Sequence, residues 1–263
     1  MGKTPVAFFI KKEYTKRKQS SLIMKHLLKI NEIFGPTIQG EGKSAGKEVS
    51  FVRTSMCNLQ CIWCDTPYTW NWIGTLYQHN DSKKYSPAEE IHLMDIETIV
   101  SKVEQIGIKA VVISGGEPLI QYKRMVPLLQ RLKELNYWIE VETNGTIFPK
   151  GDFMELVDQI NCSPKLSNSG NGRIQREHGA CLTSLALSPK VNFKFVVASR
   201  GDIGEILYLV NQYKMKEVYL MPLGINKEEL AKTIELTQRL CAQHKFHFSD
   251  RIHITQLGGG RGV

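Results

Sequence analysis

Three cysteines lie close together in the sequence Cys57-Asn-Leu-Gln-Cys61-Ile-Trp-Cys64. Thiolates at this C-x3-C-x2-C spacing can bind three irons of a four-iron cluster and leave the fourth iron open to a small molecule. A structural zinc ion would need a fourth ligand, usually from a second Cys or His pair. His79 and His92 are isolated residues. The triplet therefore favours an iron–sulfur cluster over zinc.

A second motif, Ser114-Gly115-Gly116-Glu117-Pro118, follows an apolar run about 50 residues after the triplet. Two glycines let the backbone approach a small ligand closely, and the Glu117 carboxylate could accept hydrogen bonds from an ammonium group. Such a motif by itself is common in turns. Its place at the end of a predicted strand indicates a ligand site shared with the cysteines.

The elements that must position these motifs alternate between strand-like and helix-like patterns from about residue 95 onward. Asp95 and Gly107 are the expected first and last caps of a helix. This alternation of strands and helices predicts parallel strands with right-handed crossovers. It contains too few strand–helix units to form an eight-fold barrel. We therefore expect an α/β fold that forms a partial, open βα barrel, with its chemistry at the carboxyl ends of the strands. The predicted strands are 110–114, 137–142, 159–162, 192–198, 217–221 and 251–255, and the predicted helices are 96–106, 121–135, 153–157, 203–213 and 226–243.

Net charge and composition limit the possible partners. The chain has 263 residues and a formal charge of +8, most of it in the lysine- and arginine-rich residues 1–25. We expect 1–25 to be a basic, disordered extension, and 26–263 to be one domain with an irregular insertion around 166–190. The nearly neutral remainder argues against nucleic-acid binding. Apolar runs are too short to span a membrane, and the cysteine usage fits a reducing cytoplasm.

The two motifs together resemble those of the radical S-adenosyl-L-methionine (SAM) superfamily, whose triplet carries an aromatic residue, here Trp63, before the last cysteine. Further motifs narrow the resemblance to the 7-carboxy-7-deazaguanine synthase family, over about residues 27 to 263. These motifs occur in order as Glu32-Ile-Phe-Gly-Pro-Thr-Ile-Gln-Gly-Glu-Gly42, Phe51-Val-Arg-Thr54, Cys64-Asp-Thr66, Glu142-Thr-Asn-Gly145, Ser163-Pro-Lys165 and Arg261-Gly-Val263.

The resemblance implies a ring-contracting lyase of 7-deazapurine (queuosine precursor) biosynthesis. Its substrate would be 6-carboxy-5,6,7,8-tetrahydropterin, and its product 7-carboxy-7-deazaguanine, formed with loss of ammonia. A 5′-deoxyadenosyl radical made from SAM would take hydrogen from C6 of the pterin and later recover it. The protein would hold the reacting atoms together and exclude water.

The resemblance also assigns roles to individual residues. Thr66 would bind Mg2+ together with substrate oxygens, since this ion prefers oxygen ligands; the alternative is that Thr66 is only a turn cap. Arg53 suits the substrate carboxylate, because a guanidinium can bind it at two points. The 4Fe–4S cluster would be held by Cys57, Cys61 and Cys64. SAM would be bound by Trp63, Cys64, Asp65, Gly116, Ser163, Pro164, Lys165, Met221 and Pro222. The substrate would be bound by Ile38, Gln39, Gly40, Glu41, Arg53, Ser114 and His253. His253 could instead be a partly buried strand histidine.

The resemblance further implies a homodimer and an electron donor such as flavodoxin. An alternative is a radical SAM activase that makes a glycyl radical on a partner enzyme. It would share the cysteines but would not need Arg53, Glu41 and Thr66 as a small-molecule set. A non-catalytic iron–sulfur or zinc protein with a basic RNA-binding arm is a second alternative, which the nearly neutral body disfavours.

Overall fold

The computed structural model describes residues 27–262. The expected basic extension, 1–25, therefore lies outside the described residues, as does Val263 of the last motif. None of the helices in the described part of the chain is both long and apolar enough to cross a membrane.

One sheet of nine strands organises residues 27–262. The strands are β1 (Leu28–Ile38), β2 (Glu48–Thr54), β3 (His92–Met94), β4 (Ala110–Gly115), β5 (Trp138–Thr143), β6 (Gln159–Cys162), β7 (Val191–Val197), β8 (Val218–Pro222) and β9 (His247–Phe248). Their order is β3-β1-β2-β4-β5-β6-β7-β8-β9. β1 pairs with β2 and β3 antiparallel, whereas every pair from β2 to β9 is parallel. The sheet stays open between β3 and β9, which confirms the partial barrel.

Helices connect the parallel strands. They are α1 (Pro87–Glu90), α2 (Ile96–Ile106), α3 (Tyr122–Glu134), α4 (Phe153–Leu156), α5 (Arg173–Arg176), α6 (Gly179–Ala186), α7 (Asp202–Tyr213), α8 (Lys227–His244) and α9 (Ile252–Thr255). Short 3-10 turns occupy Gly42–Ser44, Pro67–Thr69, Pro118–Gln121 and Ser167–Ser169.

Local capping signals explain why α2 and α8 begin where the sequence predicts. The Asp95 side chain accepts a hydrogen bond from the Thr98 N–H at 2.8 Å, and Gly107 ends α2 with a φ of 82°. Asn226 likewise accepts from the Glu229 N–H at 2.9 Å at the start of α8. Such caps satisfy backbone groups that the first helical turn leaves without partners.

Two expectations require revision. Residues 251–255, predicted as the last strand, form α9, and the last strand is β9. The β-branched pattern is compatible with both, but a hydrogen bond from the Ile252 N–H to the Gly40 carbonyl, 2.9 Å long, fixes the turn. Residues 166–190, expected to be irregular, contain a 3-10 turn and the helices α5 and α6, whose Leu182 and Leu185 are fully buried.

Apolar and polar side chains alternate along β5. One face of the strand therefore packs into the apolar core, and the other faces the interior of the barrel. In β5, Ile139 and Val141 pack into the hydrophobic core against the helices. Glu140 and Glu142 lie between them in sequence and therefore on the opposite face. Lys194 of β7 and Asn161 of β6 line the same inner cavity as Glu142. The sheet thus presents polar side chains to the centre of the barrel.

Candidate active site

A cavity of about 400 Å³ opens where the parallel strands end. Arg53 near the end of β2, Gly115 of β4, Thr143 of β5 and Met221 of β8 all line it. The carboxyl ends of parallel strands meet at one edge of a sheet, so residues far apart in sequence come together there. This position agrees with the sequence-based expectation.

All three cysteines of the triplet line this cavity as free thiols. Burial raises the pKa of each thiol, that of Cys61 to about 12, because the thiolate form loses its hydration. Three soft sulfur donors around one cavity are suited to a metal centre, which would hold them as thiolates.

A closed zinc site fits this donor set poorly. His79 lines the cavity and contacts the cysteine loop, so it is a candidate for a fourth ligand. Its Nε2 lies 2.8 Å from the Cys64 carbonyl oxygen and its Nδ1 lies 2.7 Å from the Asp81 carboxylate. Both ring nitrogens are thus engaged. Three thiols without a fourth protein ligand match a four-iron cluster with one open iron.

The glycine pair brings strand β4 against the start of the cysteine loop. A side chain at Gly115, whose φ is 127°, would place its Cβ 2.1 Å from the Thr54 carbonyl oxygen. At Gly116 a Cβ would lie 2.1 Å from the carbonyl oxygen of Met56, the residue before Cys57. The Gly116 N–H donates to the Thr54 carbonyl at 3.1 Å. The two glycines therefore allow a close approach between backbone segments.

Glu117, expected to accept from an ammonium group, has a different role. Its carboxylate is fully buried and accepts hydrogen bonds from the Leu119 N–H at 2.9 Å, the Asn144 N–H at 2.6 Å and the Thr143 hydroxyl at 2.9 Å. Leu119 and Asn144 belong to the turns that follow β4 and β5, and Thr143 is the last residue of β5. Glu117 joins those turns and does not line the cavity.

A cluster of ion pairs lies on another side of the cavity. Glu41 pairs with Lys194 and, at 2.9 Å, with the Arg251 Nε, while Arg251 also pairs with Asp65. Burial opposes the charged form of Glu41, but the positive charges of Lys194 and Arg251 outweigh it and hold the Glu41 pKa below its usual range. Glu41 is therefore ionised.

The same cluster includes a group that resembles a cation site. Ligand atoms of Glu41, Asp65 and His253 all lie within 4.8 Å of one another. Lys194 and Arg251 already neutralise the two carboxylates, and they place two positive charges beside any incoming metal ion. This arrangement disfavours a divalent cation at that point.

A hydrogen-bonded group of side chains continues below this cluster, toward the amino ends of the strands. The Gln39 Nε2 donates to Glu140 at 2.6 Å and to Glu142 at 3.2 Å, and the Ser114 hydroxyl donates to Glu142 at 2.5 Å. Burial, followed by the nearby negative charge of Glu142, raises the pKa of Glu140 to about 7. Glu142 lines the cavity, whereas Glu140 does not line it and instead accepts a hydrogen bond from Gln39, which does.

Nearly all residues predicted for binding lie around this one cavity. Pro164 and Pro222, predicted to contact SAM, do not line it, although each neighbours a residue that does. The binding roles of the others remain predictions. Those that line it are Ile38, Gln39, Gly40, Glu41, Arg53, Trp63, Cys64, Asp65, Thr66, Ser114, Gly116, Ser163, Lys165, Met221 and His253.

Several residues line the cavity although the sequence predicts no role for them, among them Glu142, Lys194, Arg251, Tyr68 and Arg261. Lys194 carried a usable signal, because it is a charged residue between Phe193 and Phe195 in a mainly apolar strand. Arg251 carried none, since its partners Glu41 and Asp65 are 210 and 186 residues away in sequence.

Comparison with known proteins shows which family has sequences similar to this chain. The model of the radical SAM superfamily matches residues 51–163. The chain is 33% identical to a 7-carboxy-7-deazaguanine synthase of Pyrobaculum aerophilum, across 89% of this chain and 97% of that protein. It is also 33% identical to a protein of the same name from Rhodopirellula baltica, across 86% and 85%. Its fold matches the crystal structure of QueE from Escherichia coli with a TM-score of 0.63 and 24% identity, across 87% of this chain and 96% of that one.

Proposed function

Since the chain belongs to the 7-carboxy-7-deazaguanine synthase family of the radical SAM superfamily, we propose that it converts 6-carboxy-5,6,7,8-tetrahydropterin to 7-carboxy-7-deazaguanine with loss of ammonia. The observation that carries the proposal is a single cavity lined both by three free thiols and by a set of charged side chains. The thiols suit a metal cluster. The charged groups suit a polar, carboxylated heterocycle.

In this proposal Cys57, Cys61 and Cys64 hold a 4Fe–4S cluster, which supplies one-electron chemistry when bound together with SAM. Gly116 packs against the Met56 main chain at the start of the cysteine loop and also lines the cavity, so its backbone groups lie where they could contact the cofactor. Lys165 donates to the Ser163 hydroxyl at 2.9 Å, and its ammonium lies 5.7 Å from the centre of a Trp63 ring. These polar groups would bind and orient SAM beside the thiols.

The substrate carboxylate would bind Arg53. The Arg53 Nε donates to Glu32 at 2.7 Å, and among residues 27–262 its two terminal nitrogens have no hydrogen-bond partner. A guanidinium held in this way retains two parallel donors for a carboxylate. Its side chain is only 12% exposed, so the bound ligand would be shielded from water.

The N–H donors of the pterin require an acceptor. Glu41 was expected in this role, but its two oxygens already pair with Lys194 and Arg251. Glu142 also lines the cavity, and its side chain is 24% exposed against 12% for Glu41. Its close donors Ser114 and Gln39 are neutral and Lys194 lies 4.0 Å away, so Glu142 keeps more capacity to accept from a ligand than Glu41, whose oxygens are held by two cations. We therefore assign the main contact to Glu142 and a supporting charge to Glu41.

Four further assignments belong to this proposal. Thr66 would bind Mg2+ together with substrate oxygens; the residue lines the cavity, and its hydroxyl lies 3.5 Å from the Cys64 sulfur. A reducing, cytoplasmic setting agrees with six free cysteines. A homodimer and an electron donor such as flavodoxin rest on the family resemblance alone.

The test is an anaerobic assay of the reconstituted protein with SAM, Mg2+, a low-potential reductant and the carboxylated tetrahydropterin. We expect 7-carboxy-7-deazaguanine by mass spectrometry, without stoichiometric loss of SAM. Cys61→Ala should abolish both product and cluster, while Cys241→Ala, which removes a buried thiol outside the cavity, should change neither. SAM cleavage without conversion of the pterin would reject this substrate and favour another radical SAM activity, such as an activase.

A further inference from the structure

The segment formed by residues 167–172 lies directly against the cysteine loop. Ser169 accepts a hydrogen bond from the Ile62 N–H at 3.0 Å, and Asn168 accepts one from the Trp63 indole N–H at 2.9 Å, both through main-chain carbonyls. A Cβ on Gly170 would come within 2.9 Å of the Ile62 side chain. The segment thus fixes the loop between Cys57 and Cys64 through its contacts with Ile62 and Trp63.

Asn171 extends this contact to a cysteine sulfur. Its side-chain Nδ2 lies 3.3 Å from the Cys61 Sγ and donates to it, and the residue is only 7% exposed. The Oδ1 of the same amide accepts from the Gln60 N–H at 2.9 Å. If the amide were turned round, its NH2 group would face the Gln60 N–H, so this acceptor contact fixes which end points at the sulfur.

The other cysteines have different donors. The Cys57 sulfur accepts from the Leu59 main-chain N–H at 3.4 Å, and the Cys64 sulfur lies 3.5 Å from the Thr66 hydroxyl. Within residues 27–262, Cys61 is the one member of the triplet with a side-chain amide donor. That donor comes from a residue 110 positions later in the chain.

We propose that Asn171 is a positioning residue that raises the reduction potential of the cluster through its hydrogen bond to Cys61. A reduced cluster carries one more negative charge, and this charge is shared with the cysteine sulfurs. An N–H group directed at one of these sulfurs stabilises the reduced form more than the oxidised form, and such hydrogen bonds are known to tune iron–sulfur potentials. The inference rests on the cluster of the proposed function, but not on the identity of its substrate.

The amide is also held firmly enough to act in this way. The main-chain carbonyl of Asn171 accepts from the buried Arg176 Nε at 3.2 Å, and Arg176 in turn pairs with Glu205 of α7. Ser169 offers the Asn171 Nδ2 a second acceptor at 3.1 Å. The donor is therefore part of a fixed network beneath the loop, and rotation away from Cys61 would break several contacts.

The test compares Asn171→Asp, Asn171→Ala and a matched control, Ser169→Ala, in the reconstituted holoenzyme. Asp retains the acceptor for the Gln60 N–H and, when ionised, lacks the N–H donor. Ser169→Ala removes the other acceptor of the Asn171 Nδ2, but it leaves the contact with Cys61 and the Gln60 N–H contact that orients the amide. Iron and sulfide content and the midpoint potential, from a redox titration followed by electron paramagnetic resonance, are measured for each protein.

We expect four irons per chain in all variants, a midpoint potential shifted to more negative values in both Asn171 variants, and no shift in Ser169→Ala. Unchanged potentials at full iron content would overturn the inference. Loss of iron from both Asn171 variants would also overturn it, because Asn171 would then build the site and not tune it. A wild-type protein that forms the cluster and shows the Asn171 shift, but does not convert the pterin, would reject only the proposed substrate.

Discussion

Glu32 accepts a hydrogen bond from the Arg53 Nε at 2.7 Å across the antiparallel pair β1–β2. The Tyr68 hydroxyl donates to the same carboxylate at 3.3 Å, and Arg261 approaches it from the C-terminal segment at 3.5 Å. Phe34 and Tyr68 place their ring centres 5.4 and 5.9 Å from the guanidinium carbon. The Arg53 guanidinium is thereby fixed in position before any ligand binds.

Arg53→Lys tests the role of this pre-organised group. An ammonium cannot reproduce the planar two-point contact, so we expect the dissociation constant for the carboxylated pterin to rise about 10- to 100-fold. Affinity for SAM should change little. Titration calorimetry with each ligand measures both effects in the same variant. If the variant lost SAM binding and kept normal pterin affinity, Arg53 would belong to the cofactor site and not to the substrate site.

Gly115→Ala tests the close approach between β4 and the cysteine loop. The substitution forces a Cβ against the Thr54 carbonyl and strains a φ of 127°. Gly46→Ala is a matched control, because Gly46 has a φ of 88° but open space around its Cα. The control should cost about 1–2 kcal/mol of unfolding free energy from the backbone alone. Gly115→Ala should cost more and lower the iron content, as urea unfolding and iron analysis will show; equal losses would contradict the close-approach argument.

Lys194→Met tests the buried ion pair with Glu41. The carboxylate would lose one of its two close cationic partners while remaining buried, so we expect a loss of about 3–5 kcal/mol in unfolding free energy at neutral pH. The double variant Lys194→Met/Glu41→Gln should lose less than the sum of the two single variants, because it removes both charges together. Urea unfolding of all four proteins measures the coupling. Strict additivity would mean that the two side chains do not interact.

Glu140→Gln tests the pH dependence of stability. The folded chain raises the Glu140 pKa from 4.5 to about 7, so it binds an additional proton between those pH values. The stability that this proton contributes is complete below pH 4.5 and is lost as the pH rises through 7, a change of about 3 kcal/mol.

The unfolding free energy of the wild-type chain should therefore fall relative to that of Glu140→Gln across this window. Urea unfolding of the metal-free proteins at several pH values provides the measurement. The exposed control Glu104→Gln should follow the wild-type curve. A constant difference between wild type and Glu140→Gln from pH 4.5 to 8 would show that Glu140 keeps an ordinary pKa.

Local sequence signals were sufficient for the cysteine triplet, the glycine pair and the helix caps at Asp95 and Gly107. Each depends on residues only a few positions apart, whose spacing directly sets the geometry of a loop or a helix end. Periodicity was likewise enough for the parallel strands from Ala110 to Pro222, because their apolar residues recur at strand spacing between helical patterns. The open barrel and the end of the sheet that carries the chemistry follow from that order.

Tertiary structure decided the rest. Residues 251–255 form a helix because the main chain at Ile252 bonds to Gly40, and no local pattern records that contact. Arg251 reaches Glu41 and Asp65, and Asn171 reaches Cys61, only once the sheet has brought loops more than 100 residues apart to one edge. Glu117 is buried among turn N–H groups for the same reason. Short-range spacing thus determined which chemistry the chain can carry, whereas strand order and register determined which side chains surround it.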